Sequence, residues 1–334
     1  GVVALLFDVG LKSHLESLIG QLRPATPLWL SGVIVPALFG FGTSFYLLDF
    51  NLVSSLFLGC AFTATSVGVT TAIWKEKGII NKPLGQLLID VAELDDVSGV
   101  LLMGVLFTVT PYLLQGSYEG VGQIVGSSLG FFFLSFIGFL LICYLFSRFV
   151  EPYMRKHIII KNNFIESSVM ILGVGFAIAA LGGFLGLSLA IGAFFAGVAF
   201  SRDPEVIRGD CYFDEVYDLF APFFFVGIGL EVEPSALLEG AKLGGIVLLA
   251  AFVSKVLGAW LVGYWKMGHR RSLLFGLSMV PRAEIALIIF QKGLGFDHAV
   301  PKELYAAMIV TVLGTTLLTP FLVERLIPQV FPSD

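Results

Sequence analysis

The sequence predicts an all-α polytopic membrane protein built from inverted-topology repeats, in which two transmembrane helices are broken in mid-span. Three observations carry that prediction. The chain has 334 residues, 57% hydrophobic and only 13% charged, whereas soluble domains carry about 25% charged residues. Charge-free runs at 27–48, 50–74, 97–118, 121–147 and 304–323 each reach the roughly 20 residues that a helix needs to cross the hydrocarbon. Finally, two stretches that interrupt apolar helices with polar or helix-weakening residues stand at matching positions of two similar halves.

Hydropathy places a partial helix at 1–11 and spans near 27–48, 52–74, 84–110, 121–147, 164–181, 184–200, 216–231, 241–265, 271–292 and 303–326, eleven segments in all. The run from Ser167 to Ser201 is too long for one span, so Gly182-Gly183 is read as a tight turn between two short ones. Gly1 opens inside an apolar stretch without a charged leader or a cleavage site, so a start further upstream is expected. Alternate loops differ in basic residues. One set holds Lys12, Arg23, Lys75, Lys77, Lys82, Arg148, Arg155, Lys156, Lys161, Arg202, Arg208, Lys266, Arg270 and Arg271; the other holds only Lys242, Lys292 and Lys302. Fourteen against three makes the first set cytoplasmic. The C-terminus, with Arg325, is then inside, and Lys255 and Arg282 are the two cations left within spans.

Cys60, Cys143 and Cys211 are scattered and show no C-x-x-C pairing, which argues against a disulfide framework or a zinc site. His14, His157, His269 and His298 fall in predicted loops without metal-ligand spacing and read as solvated. No G-x-x-x-x-G-K-[ST] phosphate cradle is present, so transport would be driven by a gradient and not by ATP. No cofactor and no nucleic-acid partner is expected; the partner is membrane lipid.

LFDVGLKSHLESL (6–18) resembles FFVGIGLEVEPSAL (224–237), with Gly-Leu pairs 219 residues and seven spans apart. An odd number of spans means that equivalent helices cross in opposite directions, the mark of an inverted repeat. A similar offset carries FTATSVGVT (62–70) onto SMVPRAEIA (278–286). Thr63, Thr65, Ser66 and Gly68 weaken the first helix; Pro281, beside Arg282 and Glu284, breaks the second. Irregular backbone at membrane depth survives only where it is buried in protein or lines a cavity, and paired broken helices are the best sequence pointer to a transporter's binding site. The plainer alternative is that Thr and Gly merely let helices approach closely.

The helix at 84–110 holds Asp90, Glu93, Asp95 and Asp96. At roughly 3 kcal/mol per acid, four of them cost about 12 kcal/mol to insert, while each Leu or Ile returns about 0.5. Such a helix cannot face lipid with these side chains. At 100° per residue Asp90, Glu93 and Asp96 share a stripe and Asp95 points elsewhere, so the adjacent aspartates have different neighbours. Asp96 falls roughly 20 Å along the helix, close to the midplane, and Asp90 lies shallower, with Glu93, in a vestibule. Lys255 is the one cation of its span and needs an anion, for which Asp95 is the expected partner. That pair can be structural or can take part in transport. Asp96 is left without a cation, able to bind H+ or a transported metal ion, with oxygens of Thr63, Thr65 and Ser66 completing the shell. Arg282 and Glu284 are expected to neutralise each other.

With TATSVG (63–68), LDDVSG (94–99), SKVLGA (254–259), VPRAEIAL (280–287) and FFVGIGLEV, the chain resembles, over its whole length, the second branch of the monovalent cation:proton antiporter superfamily, which contains NapA-type sodium/proton antiporters and Kef potassium-efflux systems. The resemblance implies crossed broken helices in a core domain, a scaffold domain that forms a homodimer, and elevator-like exchange of Na+ or Li+ for H+, with K+/H+ exchange the alternative. It implies scaffold at 1–23, core at 24–112, a linker helix at 113–150, scaffold and dimerisation at 151–239 and core at 240–334. It also implies that Asp96 is the ion and proton carboxylate, Asp95 the aspartate of electrogenic members and Lys255 its salt-bridge partner. Ala283 replaces the glycine of the P-R-G-E motif, residues 1–334 are expected to lack a counterpart of the family's first two helices, and a Kef-like nucleotide-binding domain is not expected.

A channel would need a continuous pore and a symmetric filter, against which the paired breaks and single titratable centre speak. An intramembrane aspartyl protease would need a G-x-G-D partner for Tyr217-Asp218, which is missing, and adjacent Asp95 and Asp96 cannot face each other as a dyad. Gly122, Gly126 and Gly130 are expected to pack within the chain rather than between subunits.

Overall fold

A computed structural model describes residues 2–12, 15–66, 68–115, 121–154, 156, 164–201, 222–223, 226–227, 229–230, 234–296 and 299–331. Among these residues the fold is helical throughout, without a strand. The helices are α1 (Val2–Lys12), α2 (Leu15–Gly42), α3 (Leu52–Thr63), α4 (Gly68–Glu76), α5 (Pro83–Leu114), α6 (Val121–Leu145), α7 (Glu151–Met154), α8 (Phe164–Phe184), α9 (Leu189–Phe200), α10 (Pro234–Met267), α11 (His269–Ser278), α12 (Glu284–Leu294) and α13 (Lys302–Val330). Among the described residues five stretches are long and apolar enough to cross a membrane: Ala25–Leu47, Pro83–Leu114, Gly126–Met154, Gly240–Met267 and Lys302–Val330. Outward faces carry large apolar side chains, such as Leu134, Ile137 and Leu141 on α6 and Leu313, Leu317 and Phe321 on α13. A lipid solvent explains them where water would not.

Local chemistry sets the helix boundaries. Asn51 caps α3 by accepting from the Ser54 amide at 2.8 Å, and Pro83, which has no amide hydrogen to leave unpaired, opens α5. The two predicted breaks are both present. α3 and α4, of 12 and 9 residues, are separated by extended backbone after Thr63, and α11 and α12, of 10 and 11 residues, are separated by non-helical Met279–Ala283. At 1.5 Å per residue each piece covers about half of a 30 Å hydrocarbon core.

The chain forms two compact units. The first comprises 1–19, 107–112 and 116–230; the second comprises 20–106, 113–115 and 231–334. In the first, α1 lies directly against α9: a Cβ on Gly10 would collide with the Phe194 carbonyl, and one on Gly197 with the Phe7 carbonyl. Without side chains at these crossing points the backbones touch, as small residues allow in membranes. In the second unit α10 packs along α13, with α11 against both, and α12 packs on α3.

Two expectations are corrected here. The turn between α8 and α9 falls at Leu185–Ser188, not at Gly182-Gly183. Gly182 stays helical because α9 presses on it at Gly192, and Gly186, at φ +82°, makes the turn. Among the described residues nothing lies within 4 Å of where Cβ atoms on Gly126 and Gly130 would be, so no described helix packs on them. The repeat segment 224–237, Cys211, Tyr217-Asp218, His14, His157 and His298 fall wholly or partly outside the described residues.

Candidate functional site

The second unit brings the two breaks together. The Ser66 amide, freed by the first, donates to the Pro281 carbonyl, freed by the second, at 2.8 Å. Each break thus satisfies a backbone group of the other where no water is available. The peptide at Arg282 is held from α13: its amide donates to Thr315 Oγ1 at 3.2 Å, and Thr316 Oγ1 donates to its carbonyl at 3.3 Å. At the flank, Thr70 Oγ1 donates to the Ser278 carbonyl at 3.0 Å and Trp74 Nε1 donates to Ser278 Oγ at 3.1 Å.

Asp95 points from α5 into this crossing and is fully buried. Its Oδ2 accepts from Lys255 Nζ at 2.6 Å and from Thr65 Oγ1 at 2.8 Å. Lys255, also buried, donates further to the Gly32 carbonyl at 2.8 Å and the Thr63 carbonyl at 3.2 Å. All three ammonium protons therefore have acceptors, the condition under which a buried charge is tolerable. Arg282 is buried as well, with Nη1 donating to the Ala64 carbonyl at 2.8 Å and lying 3.5 Å from Thr65 Oγ1. Its guanidinium stands 6.0 Å from the Phe62 ring centroid, at the outer limit of a cation–π contact.

Asp96 is placed differently. It is half-buried, and no hydrogen bond or ion pair holds its carboxylate among the described residues. The charges acting on it are three carboxylates, Glu284, Asp95 and Glu93, against Lys255. One helical step thus separates a fully buried carboxylate, tied through Oδ2 to Lys255 and Thr65 while its Oδ1 has no hydrogen-bond partner among the described residues, from an available one. Asp90 and Glu93 are half-buried further toward the start of α5, and Glu284 is half-buried in the first turn of α12.

Arg282 does not use its guanidinium on Glu284. It reaches across to the first break, because the open carbonyl of Ala64 lies within its span while Glu284 starts a separate helix. The Thr63 hydroxyl is not open to the site either, since it donates to the Cys60 carbonyl of its own helix at 2.8 Å, and only the Thr63 carbonyl faces Lys255. Sequence reasoning missed Gly32, Thr315 and Thr316. A signal for the α13 threonines existed: Thr311, Thr315 and Thr319 recur every fourth residue of an apolar helix and are all fully buried. Gly32 acts through its carbonyl, which leaves no mark in a residue pattern.

A model of the sodium/hydrogen exchanger transmembrane region matches residues 1–327. The chain belongs to this family. Among its relatives is a Na+/H+ antiporter of Enterococcus hirae, 26% identical over 100% of this chain and 85% of that protein. Another is the high-affinity Na+/H+ antiporter NhaS3 of Synechocystis, 28% identical over 96% of this chain and 68% of that protein. The solved sodium proton antiporter MjNhaP1 of Methanocaldococcus jannaschii superposes with a TM-score of 0.73 at 16% identity, covering 99% of this chain and 84% of that one. That likeness is one of fold. The family is one of transporters and not of enzymes.

Proposed function

We propose that this exchanger carries Na+ or Li+ against H+ and that Asp96 is the carboxylate on which the two compete. The observation that carries the reading is the contrast within α5: fully buried Asp95 is tied through Oδ2 to Lys255 and Thr65, whereas half-buried Asp96 is held by no hydrogen bond or ion pair among the described residues and stands among other carboxylates. Hard oxygen ligands suit alkali cations, and the half-buried Ser66 beside the break can add to the shell. An ionised, empty Asp96 is costly in a dry barrier, so only the protonated or cation-loaded form crosses. The second compact unit is the transport core and moves as one body, elevator-like. The first is the scaffold, and its open Gly126 and Gly130 suit close packing in a homodimer.

The deciding experiment is cation-driven proton flux in proteoliposomes with Asp96→Asn. Exchange falls to background while the protein remains inserted, and retained flux would reject the assignment. A second expectation concerns pH. Protons and cations compete for one carboxylate, so apparent cation affinity weakens as pH falls; an affinity independent of pH rules out direct competition. Some relatives carry K+ in their names, so K+ is scanned beside Na+ and Li+ in the same assay.

A further inference from the structure

We propose that the turn joining α10 to α11 binds the headgroup of an anionic phospholipid, with Arg270 and Arg271 on the phosphate and Trp265 seated beside it at the bilayer interface. This is independent of which ion the exchanger carries.

The placement comes first. The apolar span Gly240–Met267 ends at this turn. Trp265 is 86% exposed and Tyr264 44% exposed on its last turn, and amphipathic rings at such a level settle among headgroups. The charge comes second. Lys266, Arg270 and Arg271 are all exposed within six residues, and no acidic residue occurs between Glu239 and Glu284. Among the described residues no carboxylate pairs with Arg270 or Arg271. These cations also stand in the first turn of α11, which has no acid of its own, where they oppose the helix dipole. Unpaired by any described carboxylate and placed against the dipole, they complement an anion from outside the fold.

The turn is rigid enough to present them. Gly268 takes φ +81°, the Ser272 amide and hydroxyl both donate to its carbonyl, at 3.1 and 2.7 Å, and Trp260 Nε1 donates to His269 Nδ1 at 3.0 Å. Guanidinium forks match phosphate oxygens. The exposed aromatic pair decides for a lipid over free phosphate or an acidic protein, since neither of those needs a ring at the membrane surface.

The test uses the full chain in phosphatidylcholine vesicles that contain a minor fraction of brominated phosphatidylglycerol or, in a parallel set, brominated phosphatidylcholine. The share of emission due to Trp265, one of four tryptophans, is the difference between the parent and Trp265→Phe. Two arginines beside an anionic lipid correspond to a local enrichment of about thirtyfold, so phosphatidylglycerol quenches Trp265 far more than phosphatidylcholine does. R270Q/R271Q equalises the two, and Arg270→Lys with Arg271→Lys keeps most of the preference. Inorganic phosphate in the buffer leaves the preference in place; its loss there would mean a free-anion site and overturn the proposal. Equal quenching by both lipids in the parent also overturns it, and is the outcome expected if an acidic protein is the natural occupant.

Discussion

The two halves of the second unit contribute opposite kinds of group to the site. The first half supplies anions and carbonyl acceptors: the Gly32, Thr63 and Ala64 carbonyls, Asp95 and Asp96, with the Thr65 hydroxyl donating to Asp95 within that half. The second half supplies the cations Lys255 and Arg282. Similar breaks thus do different work. The first exposes carbonyls that need donors; the second places a guanidinium that provides one, while α13 looks after its own backbone. The inverted repeat builds the scaffold of the site, and its chemistry comes from where the halves differ.

This division predicts a ranking of substitutions. Lys255→Gln is the most damaging to stability, because it leaves Asp95 buried without its counter-ion, a loss of about 3–5 kcal/mol. Thermal unfolding in detergent reads it, and adding Asp95→Asn recovers most of the loss by restoring neutrality. The same double variant tests whether Lys255 carries a proton. If it does, current per Na+ on a solid-supported membrane falls toward electroneutral exchange; an unchanged ratio makes the pair structural.

Thr65→Val comes next. It removes a hydrogen bond to a charged group, worth about 1.5–3 kcal/mol, and Thr65→Ser retains most of it. Equal unfolding temperatures for the valine and serine variants would show that Asp95 depends on Lys255 alone. Arg282→Gln is the mildest, at about 1 kcal/mol: it weakens the bond to Ala64, but Nε and Nη2 of the arginine are buried without hydrogen-bond partners among the described residues, so removing the charge returns part of the loss. A larger loss for Arg282→Gln than for Lys255→Gln would invert the ranking and make the second break, not α10, the main source of positive charge.

Sequence alone determined the membrane class, both broken helices and the separation of Asp95 from Asp96, because these follow from hydropathy, from helix-weakening residues and from 100° of rotation per residue. The Lys255–Asp95 pair was legible for a related reason: a lone buried cation demands an anion, and few are available. Contacts through backbone carbonyls were not legible. Gly32 holds Lys255 across 223 positions of sequence, and Ala64 holds Arg282 across 218, yet every residue has a carbonyl, so neither position is marked. Arg282 illustrates the limit: charge balance within VPRAEIAL pointed to Glu284, two residues away, but a helix start separates them and the open acceptor lies on the other broken helix. Tertiary structure decides such partners because breaking a helix frees backbone groups whose positions depend on how the two breaks cross.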